Sequence, residues 1–89
     1  MDFELETLKA LGNETRIEII KTLGDQELNV TQISENSSVS RPTISHHLQI
    51  LKRNRIVNAH RVGKEIYYSV NSRALIKIAE NLLNFASKI

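Results

Sequence analysis

One segment of the chain has the pattern of a β-hairpin, and helical patterns lie on both sides of it. Residues 58–62 and 65–70 are rich in β-branched and aromatic side chains, with Gly63 and Lys64 between them. This composition is typical of two antiparallel strands joined by a tight turn. The other segments have apolar residues at three- and four-residue spacing, which is typical of amphipathic helices. The sequence therefore predicts a mainly α-helical fold with one small hairpin.

Two helices are predicted near the N-terminus. The first spans residues 3–11 and ends at Gly12. The second begins after Asn13, whose side chain is a favourable N-cap, and ends at Gly24, which suits the position after a helix. The expected inward face of the second helix consists of Ile17, Ile20 and Leu23.

A short third helix is predicted from Asn29 or Thr31 to about Ser37. A fourth helix follows, capped by Ser40 and with Pro42 in its first turn, where the missing N–H of proline is tolerated. At 100° per residue, one face of this helix is apolar and the opposite face is polar. The apolar stripe consists of Ile44, Leu48 and Leu51. The polar face consists of Pro42, Ser45, His46, Gln49 and Arg53.

The last helix is predicted from about Ser72 to Ile89, and its apolar arc is wide. A helix that packs on one side needs an apolar arc of about 100°, whereas this one has apolar residues over about 180°. The excess predicts a second packing partner, so this helix and the first are expected to form a homodimer interface. The predicted interface residues are Phe3, Leu5, Leu8, Ile76, Leu82, Leu83 and Phe85. Leu82 lies near the centre of the arc, where we expect burial whether or not the chain dimerises.

The distribution of charge predicts an anionic partner. No acidic residue lies between Glu35 and Glu65, and this segment contains six Lys or Arg and all three histidines. Net charge is −5 over the first 35 residues, +6 over the acid-free segment and +1 over residues 65–89, which sums to +2. Nucleic acid is the leading candidate, because phosphates supply most non-specific binding energy. The alternative is a solvated basic face without a partner. The six cations are Arg41, Lys52, Arg53, Arg55, Arg61 and Lys64.

Composition excludes several other classes of function. A chain of 89 residues predicts one domain, residues 1–89, with a modest core that dimerisation would help to stabilise. The absence of cysteine excludes disulfides and thiolate metal sites. No apolar run approaches membrane-spanning length and the N-terminus does not resemble a signal peptide, so we expect a cytoplasmic protein without a membrane partner. No nucleophile–base pair, phosphate-binding glycine loop or carboxylate dyad is recognisable, so we do not expect an enzyme.

Three runs of sequence follow one another in an informative order. Residues 8–23 are LKALGNETRIEIIKTL, residues 40–57 are SRPTISHHLQILKRNRIV, and residues 61–70 are RVGKEIYYSV. In this order they resemble the opening helices, the recognition helix and the wing of the ArsR/SmtB family of bacterial winged helix-turn-helix repressors. Arg16 matches the Arg of the family's Asp-x-x-Arg motif. Arg55 departs from the pattern, because family members usually have Gly at this helix exit.

The resemblance implies a sequence-specific DNA-binding transcription repressor that acts as a homodimer on an inverted-repeat operator. Residues 29–57 would form the helix-turn-helix and residues 58–70 the wing, while residues 1–12 and 72–89 would be dimerisation helices. Gln pairs well with adenine in the major groove, and wing cations suit phosphates. The expected DNA-binding residues are Ser40, Arg41, Thr43, Ser45, His46, Gln49, Arg53, Arg61 and Lys64. The alternative is a protein-interaction or antirepressor module that keeps the fold without binding DNA.

The metal-binding motifs of the family are missing from this sequence. Many members bind metal through cysteines on the third helix, but Asn29 and Thr31 occupy those positions here, and neither is a suitable ligand for a soft metal. Other members bind zinc with Asp, His and Glu between the last helices. The last helix here has no His and no Asp, and Glu80 alone cannot form a site. We therefore expect no metal and no cofactor, and the sequence identifies no inducer.

The remaining histidines and tyrosines have structural interpretations. His47 lies at the edge of the apolar stripe, so we expect it to pack with one ring nitrogen hydrogen-bonded. His60 is expected to be an exposed strand residue. Because side chains alternate between the two faces of a strand, either Tyr67 or Tyr68 is expected in the core.

Overall fold

The computed structural model describes residues 4–89 and consists of five helices and one two-stranded antiparallel sheet. This confirms the predicted fold class, a mainly α-helical chain with one hairpin. Phe3, a predicted member of the first helix and of the dimer interface, lies outside the described residues. The elements in chain order are α1 (Leu5–Leu11), α2 (Glu14–Leu23), α3 (Val30–Ser34), α4 (Arg41–Arg53), β1 (Val57–Val62), β2 (Glu65–Val70) and α5 (Ser72–Ala86).

Asparagine side chains cap the first turns of three helices, α2, α3 and α5. The Asn13 side chain accepts a hydrogen bond from the Arg16 backbone N–H at 3.1 Å, as predicted for α2. Asn29, rather than Thr31, begins α3, where it forms a reciprocal capping box with Gln32 in two bonds of 2.9 Å. Each cap satisfies N–H groups that have no partner within the helix.

Helix α3 ends at Ser34, three residues earlier than the predicted end near Ser37. The Ser34 hydroxyl donates to the Thr31 carbonyl at 2.8 Å, and the Ser37 hydroxyl accepts from the Val39 backbone N–H at 3.0 Å. Serine side chains that bond nearby backbone groups compete with helical hydrogen bonds. The predicted end of α3 was therefore wrong, because these serine side chains form hydrogen bonds with the backbone where the helix was expected to continue.

The core lies between α2, α3, α4 and the hairpin. The predicted stripe of α4 is confirmed, since its three members are fully buried. The predicted inward face of α2 was wrong in one position: Ile17 is 37% exposed, whereas Ile19 is 3% exposed. Residues three apart drift by about 60° around a helix, so Ile17 leaves the face that Ile19 and Leu23 present to the core. The buried residues are Ala10, Ile19, Leu23, Ile33, Ile44, Leu48, Leu51, Ile56, Val57 and Tyr68.

The hairpin is hydrogen-bonded to the segment that precedes α3. Tyr68 exchanges two backbone hydrogen bonds with Leu28, of 2.8 and 3.0 Å, which form an isolated β-bridge. Tyr68 is 4% exposed, which confirms that one of the paired tyrosines belongs to the core. The base of the hairpin is therefore fixed against the segment that begins the helix-turn-helix.

Helix α4 ends in a Schellman motif that places an arginine in a left-handed conformation. The Arg55 N–H donates to the Lys52 carbonyl at 2.9 Å, and the Ile56 N–H donates to the Leu51 carbonyl at 3.0 Å. Arg55 has φ of 60°, and it is the only described non-glycine residue with positive φ. This position usually holds glycine, because a Cβ atom makes the conformation unfavourable.

We expect Arg55→Gly to be more stable than Arg55→Ala by about 1 kcal/mol. Glycine removes the Cβ penalty of the left-handed conformation, although its more flexible unfolded chain offsets part of the gain relative to wild type. Both variants remove the arginine side chain, so their difference isolates the backbone effect. Urea unfolding measures it, and equal midpoints for the two variants would contradict the left-handed assignment.

Helix α5 extends away from the core. It ends at Ala86 rather than at Ile89, and none of its residues is buried. Leu82 is 39% exposed, so the prediction that it would be buried within a single chain was wrong. The reason is that α5 packs on the core near its beginning, through Leu75, and its later turns pass beyond the domain. The dimensions of the chain, 47 × 25 × 19 Å, reflect this projection.

Candidate nucleic-acid interface

The polar face of α4 is exposed along its length because the opposite face is buried. Ile44, Leu48 and Leu51 are each 0% exposed. The exposed residues Pro42, His46, Gln49 and Arg53 fall within about 60° of one another around the helix axis. Ser45 lies at the edge of this group and is half-buried. The helix therefore presents a continuous polar stripe suited to the edges of bases in a major groove.

The first turn of α4 lacks a side-chain cap. Ser40 occupies the N-cap position, as predicted, but its side chain does not cap the helix. Its hydroxyl lies 3.0 Å from the Thr43 hydroxyl instead. Pro42 has no N–H, so the backbone N–H groups of Arg41 and Thr43 remain available to an external acceptor, and phosphate is a suitable one. The exposed Arg41 side chain starts in the same turn.

The positive charge of the acid-free segment is exposed and uncompensated. All six of its Lys and Arg residues are exposed, and within residues 4–89 none of them forms an ion pair. The cations paired with acids lie elsewhere: Lys9 with Glu6 at 3.8 Å and Lys21 with Glu18 at 3.9 Å. Exposed cations that form no ion pair attract a polyanion more strongly than cations paired with a carboxylate.

The tip of the hairpin holds two of these cations. Arg61 lies near the end of β1, and Lys64 follows Gly63 in the turn. Gly63 has φ of 63°, a conformation that glycine adopts without the penalty of a Cβ atom. Both cations are exposed. The structure thus has Arg61 and Lys64 at one end of the hairpin, as the sequence predicted.

Arg53 lies at the opposite end of α4 from Arg41. It is about 18 Å along α4 from Arg41, at 1.5 Å per residue. It lines two clefts against α1, one shared with Glu4 and the other with Glu6. This position favours a role at the edge of the interface, and direct contact of Arg53 with DNA stays a prediction.

A contact between His60 and Glu27, which the sequence did not predict, connects the hairpin to the segment before α3. His60 Nδ1 lies 2.9 Å from Glu27 Oε2, and the two side chains are each 54% exposed. The His60 ring also stacks on Tyr67, with centroids 6.2 Å apart and ring planes inclined by 28°. His60 is therefore exposed, as predicted, but paired. No local sequence pattern predicts this contact, because α3 and α4 separate Glu27 from His60 in the chain.

His47 occupies the structural position that was predicted for it. It is half-buried, and its Nδ1 accepts a hydrogen bond from Arg16 Nε at 3.1 Å. Burial lowers the pKa of His47 below its ordinary value of 6.5, and the charges of Arg16 and His46 lower it further. His47 is therefore neutral at physiological pH, with one ring nitrogen satisfied.

Exposed apolar side chains lie on α5, and one lies at the start of α1. Leu83 is 71% exposed, Ile76 57%, Leu5 53%, Phe85 44% and Leu82 39%, while Leu8 is half-buried. Five large exposed apolar side chains are costly for a protein of this size unless another surface covers them. We call the exposed apolar side chains of α5, which are Ile76, Leu82, Leu83 and Phe85, the α5 face.

In the part of the chain that the structure describes, no three His, Asp or Glu side chains lie close enough together to hold a metal ion. Across the same residues, every helix is too short or too polar to cross a bilayer.

Comparison with known proteins relates this architecture to bacterial regulators. Residues 13–59 match the family described as bacterial regulatory protein, arsR family. The chain is 39% identical to the transcriptional repressor SdpR of Bacillus subtilis, over 90% of this chain and 89% of that protein. It is 33% identical to the transcriptional activator HlyU of Vibrio cholerae, over 84% of this chain and 72% of that protein. An ArsR-like transcriptional regulator from Rhodococcus sp. RHA1 has a similar structure, with a TM-score of 0.85 and 31% identity over 93% of this chain and 78% of that one.

Proposed function

The chain belongs to the arsR family of bacterial regulatory proteins, and we propose that it represses transcription as a homodimer bound to an inverted-repeat operator. Proteins of this family are DNA-binding transcriptional regulators, so the chain is not an enzyme. Its site of action would be the cytoplasm, where bacterial DNA lies. Repression, rather than activation, is favoured by the similarity to SdpR, which has the higher identity and coverage of the two relatives compared.

The observation that supports DNA binding best is the combination of shape and charge on α4 and the hairpin. The polar stripe of α4 is exposed over its whole length, and six exposed cations on or near it have no acidic partner within residues 4–89. In the proposed complex the first turns of α4 enter a major groove. The hairpin then lies on the flanking backbone, where Arg61 and Lys64 contact phosphates.

Within α4 the proposed roles differ from residue to residue. Gln49 is suited to a bidentate contact with adenine, and Ser45 and His46 are suited to hydrogen bonds with base edges. Ser40, Arg41 and Thr43 lie at the N-terminal end, where backbone N–H groups and an arginine suit phosphate. Arg53 contributes positive potential from the far end of the helix.

The α5 face supports the proposal of a homodimer. Burying one Leu or Ile side chain contributes about 1.5–3 kcal/mol. A symmetric contact that covers this face in both subunits would therefore make a large favourable contribution to the free energy of dimerisation. A two-fold dimer presents two copies of α4, and an operator with matching symmetry is an inverted repeat.

We also propose that this protein does not sense metals at the position used by thiolate-containing relatives. Asn29 occupies one of those positions, and its side chain is already engaged in the capping box with Gln32. Thr31 occupies the other and lacks a thiolate. Thiolate metal binding at these two positions is therefore no part of the proposed function.

The competing proposal is a protein-interaction or antirepressor module that keeps this fold without binding DNA. A gel-shift experiment with random duplex DNA at low salt separates the two. A DNA-binding regulator should retard the duplex, and added salt should remove the retardation. A pure interaction module should leave the duplex unretarded at every salt concentration.

Mutations on α4 and on the hairpin should have different effects if α4 contacts bases. We expect Gln49→Ala or Ser45→Ala to weaken binding to the operator by about 1–3 kcal/mol, with a smaller effect on random DNA. Lys64→Ala should weaken both by similar amounts, because a phosphate contact carries no sequence information. Titrations of a selected operator and of a random duplex measure these differences.

Lys21→Ala is a matched control for Lys64→Ala. It removes the same charge from an exposed lysine outside the acid-free segment, where it pairs with Glu18. We expect this control to leave both affinities unchanged. If Gln49→Ala, Ser45→Ala and Lys64→Ala all changed the two affinities equally, α4 would not contact bases.

A further inference from the structure

The Arg16 side chain connects three helices. Arg16 lies in the first turn of α2, and its Nη1 donates to the backbone oxygens of Lys9 at 3.3 Å and Ala10 at 3.2 Å. Those oxygens belong to the last turn of α1, where carbonyls lack a complete set of helical donors. Its Nε donates to His47 Nδ1, on α4, at 3.1 Å. One guanidinium therefore caps α1 and bonds α4 at the same time.

The bond to α4 requires a neutral His47. Because Nδ1 accepts from Arg16, the ring proton is on Nε2. Protonation would place a second N–H on Nδ1, directed at a guanidinium that also donates. The hydrogen bond would then be lost, because two N–H donors, on Arg16 and on His47, would face each other. The two side chains would also both carry a positive charge.

The charged groups around His47 oppose its protonation. Arg16 faces it from α2, and the ring of His46 on α4 lies 5.7 Å away, centroid to centroid. On the α1 side the charged side chains are Glu6 and Lys9, which are exposed and pair with each other at 3.8 Å. Burial lowers the pKa of His47, and the charges of Arg16 and His46 lower it further. Its contribution to stability is therefore complete above about pH 6.5 and is lost as the pH falls below that value, where the unfolded chain binds the proton more readily.

We propose that Arg16 and His47 form a positioning pair that holds α4 against α1 and α2 in its DNA-binding position, and that acid releases this pair. The inference rests on the proposed function, in which α4 contacts bases. His47 is one residue from His46 and two residues from both Ser45 and Gln49. A shift of the helix at His47 would therefore displace these three proposed base contacts together.

The sign of the pH effect distinguishes this role from simple charge. A histidine that acted only through its charge would strengthen binding to DNA phosphates at acid pH, because added positive charge attracts phosphate. A positioning pair that requires neutral His47 predicts the opposite change.

The test compares wild type with His47→Asn at about pH 8 and about pH 5.5, at constant ionic strength. The probe is a duplex selected from a random pool by the wild-type protein at about pH 8. Asparagine places a carbonyl oxygen near the position of Nδ1, so it can accept from Arg16, but it does not titrate. We expect wild type to lose affinity at acid pH relative to His47→Asn, which should bind nearly as tightly as wild type at about pH 8. The loss of affinity should not exceed about tenfold per subunit. The reason is that about pH 5.5 lies one unit below the ordinary imidazole pKa of 6.5, and one pH unit changes the protonation equilibrium tenfold.

Two further variants complete the design. His46→Asn makes the same change on the exposed neighbour, and the loss of affinity at acid pH should persist in it. Arg16→Lys keeps the charge but loses the forked donors, so it should bind less tightly at about pH 8 and show a reduced acid loss. Circular dichroism and sedimentation at both pH values establish that each variant is folded and assembled.

The outcomes separate this inference from the proposed function. Parallel pH profiles for wild type and His47→Asn, with normal binding at about pH 8, would overturn the positioning pair alone. If His47→Asn misfolds, the pH profiles of wild type and Arg16→Lys are compared instead. Parallel profiles for these two proteins would also overturn the positioning pair. A wild-type protein that shows no salt-sensitive binding to the selected duplex at about pH 8 would overturn the proposed function itself.

Discussion

Raising the salt concentration from about 50 to about 200 mM should weaken binding to duplex DNA by about 10³- to 10⁴-fold. The expectation assumes that a dimer neutralises about 6–8 phosphates, which corresponds to a slope of log K against log salt of about −5 to −7. The six exposed, unpaired cations in each subunit supply enough positive charge for that number. Fluorescence anisotropy of a labelled duplex over a range of salt concentrations measures the slope.

The lysine variants check which cations produce the slope. Lys64→Ala should reduce its magnitude by about one per subunit. Lys21→Ala, outside the acid-free segment, should leave it unchanged. A wild-type slope near zero would remove DNA binding as the main function, whatever the affinity at one salt concentration.

Replacing both Ile76 and Leu83 with glutamate should dissociate the dimer and reduce operator affinity by about 10²- to 10⁴-fold. The dimer would lose four apolar contacts, each worth about 1.5–3 kcal/mol, which is comparable with the whole free energy of a micromolar complex, about 8 kcal/mol. A monomer contacts only one half-site, so it loses the advantage of the tethered second half-site. Sedimentation measures assembly, and titration of the selected operator measures affinity.

The positions are chosen so that the domain itself remains folded. Ile76 is 57% exposed and Leu83 is 71% exposed, so glutamate at either site makes little difference to the packing of a single chain. Helical circular dichroism should stay close to that of wild type. Lys77→Glu is the matched control, because it changes the charge by the same two units at an exposed position on the polar side of α5. This control should remain dimeric and bind the operator.

The wild-type protein tests the premise of this experiment. Sedimentation as a monomer at tens of micromolar would contradict both the dimer and the inverted-repeat operator. A dimer that persists in the double variant would instead show that another surface holds the subunits together. Phe85→Glu, on the other edge of the apolar arc, would then locate the contact.

Features that depend on neighbouring residues in the chain were predictable from the sequence. The caps at Asn13 and Asn29 and the turn at Gly63 depend on interactions within three or four residues. The two faces of α4 follow from helical periodicity alone. For the same reason the candidate DNA-binding residues could be proposed from the sequence, because most of them lie on one short helix and one hairpin turn.

Features that depend on which surfaces meet were predicted poorly. The apolar spacing on α2 was compatible with more than one inward face, and packing against α4 and β2 selected Ile19 over Ile17. The apolar arc of α5 predicted a buried Leu82, but the core covers only the first turns of that helix. In both cases the helical spacing of apolar residues showed that a helix has an apolar side. It did not show which of these residues the neighbouring elements would cover.

The order of the elements, the segregation of charge and the polar stripe of α4 all follow from the amino-acid sequence, because each arises from residues close together in the chain. The contacts that position this stripe and the hairpin depend on the tertiary fold. Arg16 and His47 are 31 residues apart, and Glu27 and His60 belong to segments that meet only when the hairpin pairs with the segment before α3. A hydrogen bond of this kind requires two side chains to arrive within about 3 Å of each other, and that distance is set by the packing of whole helices.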